Sequence, residues 1–112
     1  MTAKAQVPKR LRVMAEYGTS GIWVAESVGT FRHGMIDHKK LGLPDALAER
    51  FGAWIERYWA RLRDNFDPKA FNTEGRALAV ALKGFVGPET EVVYEGEAED
   101  GGLLSPEIIH GE

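Results

Sequence analysis

An apolar stripe in the middle of the chain restricts its fold more than any other feature. Its members recur at i, i+4, i+7, i+8, i+11 and i+15, which is the spacing of one face of an α-helix. They are Leu47, Phe51, Trp54, Ile55, Tyr58 and Leu62. Large aromatic side chains on one face must be buried, so the chain has to fold around this segment. We therefore predict a helix that begins with Pro44 at its first position and runs to about Arg63.

A second helix is predicted immediately afterwards. Asp67 is a good N-cap residue, Pro68 suits a first helical position, and Phe66 can pack on Phe71 as a hydrophobic staple. Gly75 lies on the inward stripe of this helix, where its missing side chain favours a close approach to the first helix. The alternative is a break at this glycine, with Asn72 or Thr73 as a new cap. The stripe and the end of the helix are marked by Phe71, Leu78, Leu82, Phe85 and Gly87-Pro88.

Period-two alternation predicts the strands. Leu11, Val13, Ala15 and Tyr17 alternate with more polar residues, as in a strand with one buried face. Residues 22–24 and 29–31 are a candidate hairpin, and residues 91–95 form a final strand. The expected fold is α+β: a small sheet of these strands, with the first and last as neighbours, packed by two antiparallel helices.

The length of 112 residues predicts a single domain, with about residues 9–95 structured and residues 1–8 and 96–112 flexible. The chain has no cysteine, which excludes disulfides and thiolate chemistry and fits a reducing compartment. Its N-terminus has no apolar segment of signal-peptide length, and no apolar run approaches membrane-spanning length. We expect a cytoplasmic protein without a membrane partner.

The charges are unevenly distributed along the chain. The segment from Glu89 to the end contains eight acids and no lysine or arginine, whereas the first 88 residues hold all 14 bases and nine acids. An acidic end of this kind can serve solubility alone. It can also screen a basic face of the same protein or recruit a basic partner.

His33, Asp37 and His38 are the nearest approach to a catalytic or metal-binding cluster. Three potential ligands without cysteine or a His-Glu-x-x-His motif make a weak zinc site, and a solvated polar loop is the simpler interpretation. A general acid–base role would need only one or two of these residues. The nucleophile-elbow and phosphate-loop glycine motifs are absent from the sequence. We expect no metal, no cofactor and no catalytic activity.

A nucleic-acid interface is the second functional interpretation. Phosphate binding needs basic side chains gathered on one face, and the candidates fall in three groups. These are Lys9, Arg10 and Arg12, the segment 32–40, and Arg57, Arg61 and Arg63. Tyr17 and Trp23 do not form an interleaved stacking pattern with them, and arginines near a helix C-terminus are ordinary partners of the helix dipole.

Taken together, these segments resemble a family of small bacterial proteins over roughly residues 10–95. The resemblance rests on Arg12-Val13-Met14-Ala15-Glu16-Tyr17-Gly18, Trp23, Met35-Ile36-Asp37, residues 41–43, Trp54, Tyr58, Gly75-Arg76-Ala77-Leu78, Gly87-Pro88 and the strand through Tyr94. The chain departs from the family pattern at Leu43-Pro44, where Ser-Pro is expected. Proteins of this kind resemble the immunity partners of bacterial toxins.

The resemblance implies a protein-binding module, most concretely one that neutralises a toxin by binding it, without catalysis. A small nucleic-acid-binding or regulatory protein is the alternative, and a hydrolase or nuclease using the loop with His33, Asp37 and His38 is the third hypothesis. The expected partner-binding residues are an exposed aromatic on the first helix and the acids of the C-terminal segment. They are Trp59, Glu91, Glu95, Glu97, Glu99 and Asp100.

Overall fold

A computed structural model describes residues 8–63 and 66–110 of the chain. The predictions for residues 1–7 and 111–112 lie outside the described residues. The elements are β1 (Arg10–Met14), β2 (Ile22–Val24), β3 (Gly34–Met35), α1 (His38–Leu41), α2 (Asp45–Tyr58), a 3₁₀ helix (Trp59–Arg63), α3 (Pro68–Val86), β4 (Glu91–Glu95) and β5 (Glu107–Ile109). The predicted α+β class is confirmed. None of the described helices is long and apolar enough to cross a membrane.

The five strands form one mixed sheet in the order β3-β2-β1-β4-β5. The first strand and β4 are parallel neighbours at its centre, as the sequence predicted, and the other pairs are antiparallel. Because side chains alternate along a strand, one face of the sheet carries the buried residues and packs against α2 and α3. The inward residues are Leu11, Val13, Ile22, Val24, Val92, Tyr94 and Ile109.

The second α-helix anchors the core as expected, but it ends earlier than the sequence indicated. Pro44 is the N-cap and not the first helical residue, and the α-helix gives way to the 3₁₀ helix after Tyr58. Each residue then advances by about 120° and not about 100°, so Leu62 turns about 80° away from the inward stripe. Leu62 is consequently 68% exposed, and its predicted place in the core was wrong.

The start of α3 follows its prediction closely. The side chain of Asp67 accepts hydrogen bonds from the backbone N–H groups of Lys69 (3.0 Å) and Ala70 (3.4 Å), and the rings of Phe66 and Phe71 lie 5.0 Å apart. The other end differs, because Phe85 is 42% exposed. In the last turn of α3, Val86 and not Phe85 packs against the core, so the predicted inward place of Phe85 was wrong.

Two segments of the sheet differ from the prediction. The third strand is β3, whereas Val28 and Phe31 form only an isolated bridge around a turn with Gly29 at a positive φ of 57°. The segment after residue 95, which we expected to be loosely held, contains β5. Ile109 is buried against β4, and Glu107 pairs with Arg76 of α3, so this segment has both an apolar and an ionic attachment.

Candidate protein-binding site

Four of the C-terminal acids are paired with arginines of the first 88 residues. Glu95 lies 3.3 Å from Arg12, and Glu107 lies 2.8 Å from Arg76. The other two pairs are Arg10 with Glu91 and Arg61 with Glu97. Four of the eight acids seen in the sequence are therefore internal partners of basic residues. The uneven charge distribution along the chain becomes a set of contacts within the fold.

Glu91 and Glu95 lie on the sheet face opposite the helices. The strand register places Arg10 directly beside Glu91. Arg12 lies beside Val93, two residues from Glu95 and on the same face, so the register explains both ion pairs. On the same face, one row of neighbouring residues crosses all five strands. From β3 to β5 its members are Met35, Trp23, Arg12, Val93 and Ile108. Because both carboxylates already have a guanidinium neighbour, this face is close to neutral. It offers weak electrostatic attraction to a charged partner.

Glu97 is a buried residue, only 4% exposed, and not a surface charge. Its carboxylate lies 3.5 Å from the guanidinium of Arg61, which also donates to the Tyr58 hydroxyl. Burial raises the pKa of Glu97 above its ordinary value of 4.5, although Arg61 and Tyr58 act in the opposite direction. Burial and the nearby Glu97 charge raise the pKa of Tyr58 to about 12, so its hydroxyl keeps its proton at neutral pH.

The backbone of Glu97 is held by α3. Asn72 accepts the Glu97 N–H at 2.8 Å and donates to the Glu97 carbonyl at 2.9 Å. The same amide oxygen accepts the Tyr94 hydroxyl at 2.9 Å. A side chain at Gly96 would lie 2.9 Å from that oxygen, so the chain can pass this closely only with glycine. The backbone of this acid is thus fixed by a neighbour that uses both its amide oxygen and its amide nitrogen.

Residues 96–104 form a short hairpin, which we call the acidic hairpin because Glu99 and Asp100 lie at its tip. Both acids are exposed. Backbone bonds from Ala98 to Gly102, from Gly101 to Ala98 and from Leu104 to Gly96 close it. The Asp100 carboxylate also accepts the Gly102 N–H at 2.9 Å. Two half-exposed leucines, Leu103 and Leu104, follow the acids. The hairpin therefore presents negative charge and apolar surface together, which is a common composition for protein contacts.

Trp59 is 40% exposed at the first position of the 3₁₀ helix. One side of its ring packs on Tyr17, with ring centroids 4.6 Å apart, and Tyr17 in turn packs on Tyr58 at 4.6 Å. In a 3₁₀ helix residues i and i+3 lie above one another, so Trp59 and Leu62 share a face. This pair is a second partly apolar surface, and it is linked to the acidic hairpin through Tyr58 and Arg61.

The histidine-bearing loop does not assemble a metal site. His38 turns inward, where its Nε2 lies 3.0 Å from the Ser20 carbonyl and its ring lies 5.8 Å from that of Phe51. His33 is exposed, and its backbone N–H donates to the Ser27 hydroxyl. Within residues 8–63 and 66–110, no three His, Asp or Glu side chains are grouped as metal ligands.

The basic residues predicted as a nucleic-acid face are dispersed by the fold. Arg10 and Arg12 on the sheet and Arg61 on the 3₁₀ helix each have a glutamate partner. Neutralised guanidinium groups release few counterions from a phosphate backbone, so these three residues contribute little to such binding.

Comparison with known proteins identifies the family. Residues 9–97 match the family described as Serratia CdiI immunity protein-like. The chain belongs to this family. The resemblance seen in the sequence to immunity-type proteins is thereby confirmed, and the matched residues run from the start of β1 through Glu97. No curated protein matches the chain.

Sequence reasoning missed the residues that organise this region. Arg61 was interpreted as a dipole partner or phosphate contact, and Asn72 was not predicted to hold any part of this region. Their roles depend on the register that brings β4 beside β1, and on the 3₁₀ helix that turns Arg61 toward Glu97. The one available signal was Gly96, a glycine that directly follows the last predicted strand and precedes an acid.

Proposed function

We propose that this chain neutralises a toxin by binding it and catalyses no reaction of its own. The observation that carries the proposal is the match of residues 9–97 to an immunity protein-like family. Neutralisation by binding requires a preformed surface of suitable shape and charge. A well-ordered core supports the proposal, because among the described residues no buried side-chain polar atom is without a hydrogen-bond partner.

The acidic hairpin is the proposed docking element. Glu99 and Asp100 form no ion pair with the described residues, unlike Glu91, Glu95 and Glu97. Their charges are therefore available to attract a partner from a distance. The tip of the hairpin lies beyond the family match, so its sequence can adapt to one partner without altering the shared fold.

The chemistry of the hairpin defines the partner surface that would fit it. Exposed carboxylates require lysine or arginine on the partner, and Leu103 and Leu104 require an apolar patch beside those charges. Trp59 is the proposed second contact, because a partly exposed tryptophan held on one side by Tyr17 is a rigid anchor. A basic toxin domain satisfies both requirements. Of the six residues predicted from the sequence, we assign partner contact to Glu99, Asp100 and Trp59, and internal roles to the other three.

Co-expression with a toxin domain, sought among the products of the adjacent genes, tests the proposal. A variant with Glu99→Lys and Asp100→Asn reverses one tip charge and removes the other, but keeps the oxygen that accepts the Gly102 N–H. We expect association with the toxin domain to slow by roughly tenfold at low salt and the melting temperature to stay constant.

The control, Glu49→Lys with Glu26→Gln, changes the net charge equally at exposed sites elsewhere. Equal association rates for the variant and the wild type would refute docking through the hairpin. Failure of the wild-type chain to protect cells from that toxin would refute neutralisation.

A further inference from the structure

Arg61 contacts three different parts of the molecule. Its Nη1 donates to the Tyr58 hydroxyl and lies 3.5 Å from the Glu97 carboxylate, while its Nη2 donates to the Gly101 carbonyl at 3.2 Å. The guanidinium carbon also lies 4.9 Å from the centre of the Tyr58 ring. The planar, five-donor guanidinium is the side chain best suited to bind several acceptors at once.

The two ends of the acidic hairpin are held by different contacts. Its base is fixed by the hydrogen bonds of Asn72 to the Glu97 backbone. Its tip is closed by local bonds, including the one from Gly102 to Asp100, but these bonds do not connect the tip to the rest of the protein. Among the described residues, Arg61 is the only side chain of the helical layer that donates a hydrogen bond to the tip.

We propose that Arg61 is a positioning residue that holds the acidic hairpin in its binding-competent orientation before the partner arrives. The proposal rests on the function proposed above and goes further, because it assigns the preorganisation of that surface to one side chain that does not itself contact the partner. A docking element that is already ordered loses less conformational entropy on binding, so the complex is tighter for the same contacts.

Hydrogen exchange of the free protein tests the positioning role without any partner. In Arg61→Gln we expect the amides of Ala98, Gly101 and Gly102 to exchange roughly tenfold faster, because the tip opens without unfolding the sheet. Arg50→Gln is the matched control: it also removes one positive charge and breaks a 3.5 Å ion pair, that with Glu74, between the two long helices. Unchanged exchange at the tip in Arg61→Gln would overturn the inference.

Two further variants separate positioning from general stability. Arg61→Gln leaves the buried Glu97 carboxylate without its cation, which can destabilise the whole domain. The double variant Arg61→Gln with Glu97→Gln removes that charge, so we expect global stability to recover while the tip still exchanges fast. Arg61→Lys keeps the charge, but a single ammonium group cannot reach Tyr58, Glu97 and Gly101 together as the guanidinium does. We therefore expect only partial rescue of slow exchange. Recovery of slow exchange in the double variant would show that Arg61 acts only by neutralising Glu97, and would overturn the inference.

Binding kinetics with the toxin domain used for co-expression then separate this inference from the proposed function. In Arg61→Gln the tip carboxylates remain, so we expect association to keep its salt dependence and the dissociation constant to rise several-fold relative to Arg50→Gln. An unchanged dissociation constant despite a mobile tip would overturn the positioning role in binding. If the variant with Glu99→Lys and Asp100→Asn binds as the wild type does, the proposed docking site is wrong. If Arg61→Gln still speeds amide exchange at the tip in that case, the structural role of Arg61 stands.

Discussion

The indole nitrogen of Trp54 donates a hydrogen bond to the backbone carbonyl of Phe71 at 3.0 Å. The two rings also stack, with centroids 4.7 Å apart and planes 15° from parallel. One tryptophan on α2 therefore contacts the first turns of α3 through both its polar atom and its apolar face. The contact joins the helix with the strongest apolar stripe to the helix that packs on β4, and the hydrogen bond allows a polar nitrogen to be fully buried.

Substitution of Trp54 should destabilise the domain strongly. We expect Trp54→Ala to lower the free energy of unfolding by about 3–5 kcal/mol through the cavity it leaves. Trp54→Phe removes the hydrogen bond to the Phe71 carbonyl and part of the buried ring, at a smaller cost of about 1–3 kcal/mol. Chemical denaturation measures both changes. The control is Trp59→Phe, which makes the same change at a partly exposed site. Equal effects at the two positions would contradict the assignment of Trp54 to the core.

Gly75 and Gly84 provide a matched pair within α3. A Cβ at Gly75 would lie 2.4 Å from the Tyr94 hydroxyl and 2.6 Å from the Trp54 ring, whereas one at Gly84 would meet nothing within 4 Å. Helix propensity favours alanine at both sites by about 1 kcal/mol. We expect Gly84→Ala to raise the melting temperature. Gly75→Ala should lower the free energy of unfolding by about 1–3 kcal/mol, because the overpacking outweighs the propensity. Stabilisation by both substitutions would show that α3 does not approach Trp54 this closely.

The change from α-helix to 3₁₀ helix predicts that Leu62 contributes little to stability. An exposed leucine on the surface should tolerate Leu62→Ala within about 0.5 kcal/mol. The same substitution at the fully buried Leu78 should cost about 2–5 kcal/mol. Denaturation of the two variants under one condition gives the comparison. A large loss at Leu62 would mean that the α-helical phase continues past Tyr58 and that Leu62 is in the core.

The sequence was most informative where apolar residues recur at helical spacing over several turns and where a cap residue marks a helix start. Five of the six residues in the first stripe lie in or against the core, and the cap at Asp67 forms as predicted, because both signals are local. Leu62 was mispredicted because no proline or glycine marks the change to a 3₁₀ helix. The three-residue β5 is too short for its alternation to be recognised, and it is ordered by β4 and by Arg76, which are distant in sequence.

The candidate site was predictable in part and for similar reasons. An acidic segment is visible in composition, but which of its members are exposed depends on register. The pairing of β1 with β4 provides Arg10 and Arg12 as partners for Glu91 and Glu95. Charged residues are almost never buried unless they are paired, so Glu97 was expected at the surface. Its burial became apparent only from the position of Arg61, 36 residues earlier in the chain.

Glu97 and Glu107 should give the domain two opposing responses to acid. Burial raises the pKa of Glu97 in the folded state, so the folded protein binds this proton more tightly than the unfolded chain does. Its contribution to stability therefore improves as the pH falls through the raised pKa toward 4.5. The hydrogen bonds from Arg76 lower the pKa of Glu107, and its contribution is present above 4.5 and lost as the pH falls through the lowered value.

Unfolding free energies measured against pH for the wild type, Glu97→Gln and Glu107→Gln separate the two effects. Relative to Glu97→Gln, the wild type should gain stability between neutral pH and 4.5, because protonation removes the cost of a buried charge. Relative to Glu107→Gln, the wild type should be more stable by a constant amount above pH 4.5, and this difference should disappear as the pH falls further. The difference in unfolding free energy should be small, because this ion pair is exposed. Glutamine keeps the size of both side chains, so each difference reports ionisation and not packing. Parallel curves for the wild type and Glu97→Gln would show that the Glu97 carboxylate is as well solvated in the folded protein as in the unfolded chain, and that its contact with Arg61 does not exclude water.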